Sequence, residues 1–271
     1  MPAERVVLIT GSTDGVGRLL AQRLAAPGTH VLIHGRDSAR GDAVVAATER
    51  AGGTATFVGA DLASLSEVRH LADAVTSEHD HVDILVNNAG MSIPDGPRRE
   101  SPDGFERHFA VNYLAPFLLT RLLLPSLGAR RSSRVVNVIS AGQSAVDLDD
   151  PMLERGYDGY RAYGQSKVAL AMLTFDLAEQ YDATRLTANC LHPGTHLDTT
   201  MVRAAGIRPA GTADQGADAV LTLATSDALA ATTGRYFDGK RKSRVHPQAY
   251  DPAARARLRS ISERLTALTP Q

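Results

Sequence analysis

The sequence predicts an α/β fold, a doubly wound parallel sheet with helices on both faces, and three observations lead there. Short apolar, β-branched runs alternate with longer stretches of helical period, the pattern of parallel strands joined by right-handed crossovers. The first run, Arg5-Val6-Val7-Leu8-Ile9-Thr10, enters a glycine-rich turn and then a helical pattern. No repeat, low-complexity tract or composition break divides the 271 residues, so a single domain over 1–271 is expected.

Residues 5–10 are apolar without alternation, as a strand buried on both faces should be. Gly11-Ser12-Thr13-Asp14-Gly15-Val16-Gly17 follows, and Leu19, Leu20, Ala21, Leu24 and Ala25 then give a helix. Residues 30–34 form the second strand, ending in Gly35-Arg36-Asp37, and apolar runs at 55–58, 84–87 and 134–139 supply the next three. Between them, 64–76 reads as a helix, with Ser64 and Glu67 spaced as a capping box. Residues 95–103, with prolines and a glycine, form a loop at the carboxyl edge of the sheet, where ligands bind in such folds. Residues 105–127 read as one long helix kinked at Pro116. Residues 160–181 form another, whose Met172, Leu173, Phe175 and Leu177 belong to the core or to a subunit contact. Cys190 lies in an apolar strand at 187–191 as a small buried side chain. The basic cluster at 240–244 reads as a solvated turn, as does the polar loop His79-Asp80-His81.

A formal net charge of −1 leaves no electrostatic footprint for nucleic acid. No apolar stretch approaches the roughly 20 residues of a membrane helix, and Glu4 and Arg5 interrupt any leader-like run. With one cysteine and no internal disulfide to form, a soluble cytoplasmic protein is expected. The nine histidines show no metal-ligand spacing, and His192 is expected to act through its backbone alone.

Strand, glycine turn and helix N-terminus together make an anion site, where backbone N–H groups and the helix dipole face a pyrophosphate. An acidic residue at the end of the second strand would select NAD, whereas an arginine there selects the 2′-phosphate of NADP. Gly35 stands where the acid would be and Arg36 follows, so NADP(H) is the expected cofactor. Tyr163 and Lys167, four residues apart on a helix, share a face. A cation beside a tyrosine lowers its pKa and makes an acid/base group near neutrality.

Taken together these motifs resemble the short-chain dehydrogenase/reductase family over nearly the whole chain. The resemblance rests on Thr10-Gly11-x-x-x-Gly15-x-Gly17, Asp61-Leu62, Asn87-Asn88-Ala89-Gly90, Val111-Asn112-Tyr113, Ser140 after its apolar run, Tyr163-x-x-x-Lys167 and His192-Pro193-Gly194. The long acidic stretch at 147–158 and the tail Gly234-Arg235-Tyr236-Phe237-Asp238-Gly239 are similar to the retinol-dehydrogenase-like or carbonyl-reductase-like branch. The resemblance implies a single-domain Rossmann fold and NADP(H)-dependent interconversion of a carbonyl and an alcohol on a small, rather apolar substrate. It implies catalytic roles for Ser140 (substrate oxygen), Tyr163 (proton donor), Lys167 (tyrosine pKa and ribose) and Asn112 (a water linking Lys167 to solvent). Cofactor contacts are implied for Gly11, Ser12, Thr13, Asp14, Gly15, Val16, Gly17, Arg36, Asp61, Leu62, Asn88, Ala89, Gly90, Tyr163, Lys167, Pro193 and Gly194. The family's Pro-Gly-x-x-x-Thr is imperfect, since Asp198 occupies the threonine position, and Thr195 and Thr199 both stay candidates for the carboxamide contact. A lid at about 195–209, with Gly206 inside and Pro209 at its end, and a homodimer or homotetramer are further expectations. Two other readings stay open: an epimerase or dehydratase with the same Tyr/Lys pair, and a non-catalytic dinucleotide-sensing protein. The missing C-terminal substrate domain weighs against the first, and the full Ser140, Tyr163, Lys167 and Asn112 set against the second.

Overall fold

The computed structural model describes residues 5–93, 95–129 and 132–268; Glu4 lies outside them. In chain order the elements are β1 (Arg5–Ile9), α1 (Gly15–Leu24), β2 (Thr29–Gly35), α2 (Ser38–Arg50), β3 (Thr54–Gly59), α3 (Leu65–Glu78) and β4 (Ile84–Asn87). There follow α4 (Arg107–Phe109), α5 (Ala115–Leu123), β5 (Ser133–Val138), α6 (Gly159–Gln180), β6 (Leu186–His192) and α7 (Thr200–Ala204). The chain continues with α8 (Ala213–Thr225), β7 (Arg235–Asp238), β8 (Arg241–Ser243) and α9 (Pro252–Leu265).

One eight-stranded sheet runs β3-β2-β1-β4-β5-β6-β7-β8. It is parallel except for the antiparallel β7/β8 pair. Alternation along β1 separates two cores: Val6 and Leu8 pack with α3, α5, α6 and α9, while Val7 and Ile9 pack with α1, α2 and α8. The strand order reverses between β1 and β4, so the loops leaving their carboxyl ends diverge and open a crevice there. Among the described residues no helix is long and apolar enough to cross a membrane.

Four expectations are corrected. The helix expected over 105–127 is broken into α4, a π-helical turn (Ala110–Leu114) and α5. Pro116 lacks the N–H that would bond the Asn112 carbonyl, so the α-ladder cannot pass through, and the proline sits at the start of α5 instead of kinking its middle. Ser64 makes no cap bond; the Leu65 N–H donates to Asp103 Oδ2 at 2.8 Å, and Glu67 accepts from the Asp61 N–H at 2.6 Å. The basic cluster is a short exposed edge strand, β8, whose charges discourage further pairing. His81 is buried, with Nε2 3.4 Å from Asp83 Oδ2.

The C-terminal α9 packs on α6. Asp176 of α6 is held between Arg121 and Arg259, Arg255 pairs with Glu179, and the Tyr113 and Ser262 hydroxyls are 2.7 Å apart. Phe175 of α6 stacks on Tyr250 at 4.9 Å, and Met172, Leu173 and Leu177 are buried with it. Cys190 is buried, and burial pushes its thiol up to about 12.

Candidate active site

A cavity of about 870 Å³ lies along the carboxyl ends of the central strands. It runs from Arg36, Asp61 and Leu62, past Gly11, Thr13, Asp14, Gly15, Val16 and Gly17, to Ser140, Tyr163 and Lys167. Asn88, Ala89 and Gly90 line it from β4, and Pro193, Gly194, Thr195 and Thr199 from the segment after β6. Its length, the glycine turn and the N-terminus of α1 fit a dinucleotide. Two expected residues do not line it. Ser12 is fully buried; its Oγ donates to the Ile9 carbonyl at 2.8 Å and accepts from the His34 N–H at 2.9 Å, so it shapes the turn from behind. Asn112 is also fully buried.

The turn is stitched to its neighbours. Thr10 Oγ1 accepts from the N–H groups of Asn88 and Ala89, both at 3.0 Å, while Asn88 Nδ2 donates to the carbonyls of Thr10 and Gly11. A Cβ on Gly17 would lie 2.3 Å from the Gly11 oxygen, so only glycine lets α1 approach β1 this closely. Asp14 caps α1 by accepting from the Gly15 N–H at 2.7 Å.

His34 is a site residue that the sequence reading missed. The Gly11 N–H donates to its Nδ1 at 3.0 Å, and its Nε2 is 3.2 Å from the Ala60 carbonyl. Those partners place the proton on Nε2 and keep the ring neutral. Burial pushes its pKa down to about 4. Nothing in the sequence marks it, because its partners are 23 and 26 residues away.

At the far end of β2 the Arg36 guanidinium is exposed and 4.0 Å from Asp61, whose Oδ1 accepts from the Ala63 N–H at 3.0 Å. Arg40, on α2, lines the same cavity, 3.9 Å from Asp14. A Cβ on Gly35 would meet the Thr13 side chain at 2.5 Å, so this position has no room for a carboxylate.

The Tyr163 phenol is pushed up by burial, and interaction with the Ser140 hydroxyl pulls it back. Lys167 Nζ is 5.7 Å from the Tyr163 ring centre and donates to the Val138 carbonyl at 3.3 Å. Burial holds the ammonium down to about 8. The expected lowering of the tyrosine by Lys167 is therefore not the balance found: desolvation of the phenol dominates. Ser140 lies two residues beyond β5, where its Oγ accepts from the Gly142 N–H at 3.1 Å. Gln143, also unforeseen, bonds the Ser140 carbonyl at 2.8 Å through Nε2 and accepts from the His246 N–H at 2.7 Å. Asn112 accepts from the Met91 N–H at 2.8 Å and donates to the Met91 carbonyl and Ser166 Oγ, both at 3.0 Å. Both its amide hydrogens are thus occupied by protein.

His192, the last residue of β6, has Nε2 3.0 Å from Thr195 Oγ1, so its ring is tied to the turn that follows the strand. Thr199 caps α7 and lies against Gly15. The segment closes on itself: the Asp198 N–H donates to the Gly211 carbonyl and the Ala210 N–H to the His196 carbonyl, each at 2.9 Å. Leu197 is buried at its base, while Met201 and Ile207 are exposed beside Tyr160 around the mouth of the cavity.

A family model described as short chain dehydrogenase matches residues 5–208. Polyprenol dehydrogenase of Mus musculus is 38% identical, with 97% of this chain and 84% of that protein covered. Retinol dehydrogenase 13 of Homo sapiens is 35% identical over 97% of this chain and 85% of its own. Among solved structures, an uncharacterized protein from Mycobacterium paratuberculosis matches with a TM-score of 0.80 at 32% identity, covering 98% of this chain and 94% of its own. The Pseudomonas aeruginosa RhlG/NADP active-site complex matches with a TM-score of 0.70 at 30% identity over 88% of this chain and 95% of its own.

Proposed function

The chain belongs to the short-chain dehydrogenase/reductase family, in its retinol-dehydrogenase-like branch, and on that premise we propose an NADP(H)-dependent enzyme that interconverts an apolar alcohol and its ketone or aldehyde. The observation that carries this reading is the meeting of Ser140, Tyr163 and Lys167 in one cavity with the glycine-rich turn. The bound dinucleotide supplies or receives the hydride. Ser140 Oγ donates to the substrate oxygen and holds it near the phenol. Tyr163 Oη gives that oxygen its proton in reduction; a phenol raised by burial keeps the proton until it is needed. Lys167 Nζ, held near 8, restores the proton and would hold the ribose hydroxyls of the dinucleotide. Asn112 holds Met91 and thereby the chain leaving β4, whose Gly90 lies against Lys167 Nζ.

Preference for NADP(H) is supported by three features: the exposed Arg36, Arg40 on the same cavity, and the lack of room for an acid at Gly35. An apolar substrate is supported by Met91, Met201, Val202 and Ile207 along the cavity, and by relatives named for polyprenol and retinol. Residues 195–209 serve as the lid in this reading, with either Thr195 or Thr199 available to the carboxamide.

The test follows NADPH absorbance with a panel of apolar ketones and aldehydes, repeated with NADH. A charge-assisted bond to the 2′-phosphate is worth about 1.5–3 kcal/mol, so roughly ten- to hundredfold preference for NADPH is expected. Arg36→Asp is expected to reverse it. Equal use of the two cofactors by the unmodified protein would sink the cofactor assignment.

A further inference from the structure

The buried ionisable pair Glu106–His108 takes no part in the chemistry above, yet it stands beside Tyr163. Glu106 is wholly buried and His108 is 2% exposed. His108 Nδ1 lies 2.9 Å from Glu106 Oε1, and the other carboxylate oxygen accepts from the Phe109 N–H at 2.7 Å. The opposite ring nitrogen, Nε2, accepts from the Ile93 N–H at 3.0 Å. A backbone N–H can only donate, so Nε2 is the acceptor and the proton sits on Nδ1, facing the carboxylate. The imidazole meets the Tyr163 ring edge to face, 6.3 Å between centres at 81°.

The pair joins the segments that border the substrate side of the cavity. Asn112, four residues after His108, holds both the N–H and the carbonyl of Met91, so the chain leaving β4 is clamped at Met91 and again at Ile93. Met91 and Ser92, between the clamps, line the cavity. From the other side, Tyr157 Oη donates to Glu106 Oε1 at 3.4 Å, and the Glu106 N–H points to Met152 Sδ at 3.4 Å. The acidic stretch at 147–158 is thus tied to the same carboxylate.

Resting on the carbonyl-reductase reading, we propose that His108, oriented by Glu106, is a positioning residue that sets the substrate wall at Met91–Ile93. It fixes where an apolar substrate lies relative to Tyr163 without touching the dinucleotide. His108→Leu removes acceptor and donor together, whereas His108→Gln presents both from one amide.

The test compares the two variants in KM and kcat for an apolar ketone, in NADPH affinity by fluorescence, and in hydrogen exchange of the Ile93 amide. His108→Leu is expected to raise KM about tenfold, the scale of one buried bond lost, with kcat and NADPH affinity within about threefold. Its Ile93 amide exchanges faster, and His108→Gln restores both KM and exchange. If Leu and Gln raise KM equally, or if NADPH affinity falls with KM, the proposal is overturned. Should His108→Leu not fold, His108→Asn, too short to reach Ile93, takes its place against Gln, and wild-type KM and exchange in Asn overturn it. The exchange measurement needs no turnover. Slow Ile93 exchange that depends on residue 108, together with no activity on any carbonyl, would count against the proposed reaction and not against the clamp.

Discussion

At the residue scale, three side chains carry most of what is testable. Tyr163→Phe keeps ring volume and packing but removes the hydroxyl. Turnover is expected to fall by roughly 10²–10⁴-fold, the usual contribution of a general acid, while NADPH affinity stays put; steady-state kinetics beside a binding titration checks both. Lys167→Ala is expected to damage both quantities, since in the proposed reaction Nζ would serve the phenol and the ribose. His34 makes a different prediction. An unfolded chain takes up its imidazole proton near 6.5, the folded chain only near 4. Stability is therefore complete above about 6.5 and declines as pH falls toward 4, by about 3 kcal/mol from this group. Denaturant midpoints across that window measure the slope. His34→Gln, which keeps an acceptor for Gly11 and a donor for Ala60, should flatten it.

At the scale of elements, helix caps and the segment after β6 separate local from tertiary control. The N-terminus of α3 is capped by Asp103, 38 residues along the chain from Leu65. Asp103→Ala is expected to cost about 1 kcal/mol, as lost caps do, and Ser64→Ala very little, as read from chemical denaturation. The reverse order would show that Ser64 caps the helix in solution. The segment holding α7 is exposed from residue 203 to 210 and tied at its base by two backbone bonds. Its amides at 195–209 are expected to exchange quickly alone and to slow with NADP(H), as a lid that excludes water would. Protection at the glycine turn with no change at 195–209 would remove the lid.

At the scale of the whole molecule, α9 decides which surfaces are free. Asp176 serves two arginines, Arg121 and Arg259, in a setting where little of either Asp176 or Arg121 is exposed. Asp176→Asn leaves those cations with half their partner, and removal of one member of a buried pair costs about 3–5 kcal/mol. A drop of that order in unfolding free energy is expected. Because α9 already lies on α6, a homodimer or homotetramer built on α6 would have to displace it. Whatever mass sedimentation velocity finds, no assembly is expected to be sealed through α6. An assembly in which α9 stays docked would require another surface, and cross-linking between α6 helices would contradict the cover.

Where partners lie close along the chain, or where period alone decides, the residues by themselves determined the outcome. The alternating strands and helices, the glycine turn entering α1, and Tyr163 and Lys167 one helical turn apart on α6 follow from local sequence, because chain geometry sets their spacing. The bounds of the first five strands and of α3 and α6 were legible to within about two residues for the same reason, whereas the helix expected over 105–127 was not, because Pro116 breaks its ladder. What only the tertiary structure decided are contacts across long loops: His34 against Gly11 and Ala60, Asp103 capping α3, Gln143 holding the Ser140 segment, and Glu106–His108 clamping Ile93. The sign of the Tyr163 shift belongs there too, since desolvation depends on what covers the phenol, and that cover comes from segments far away in the sequence.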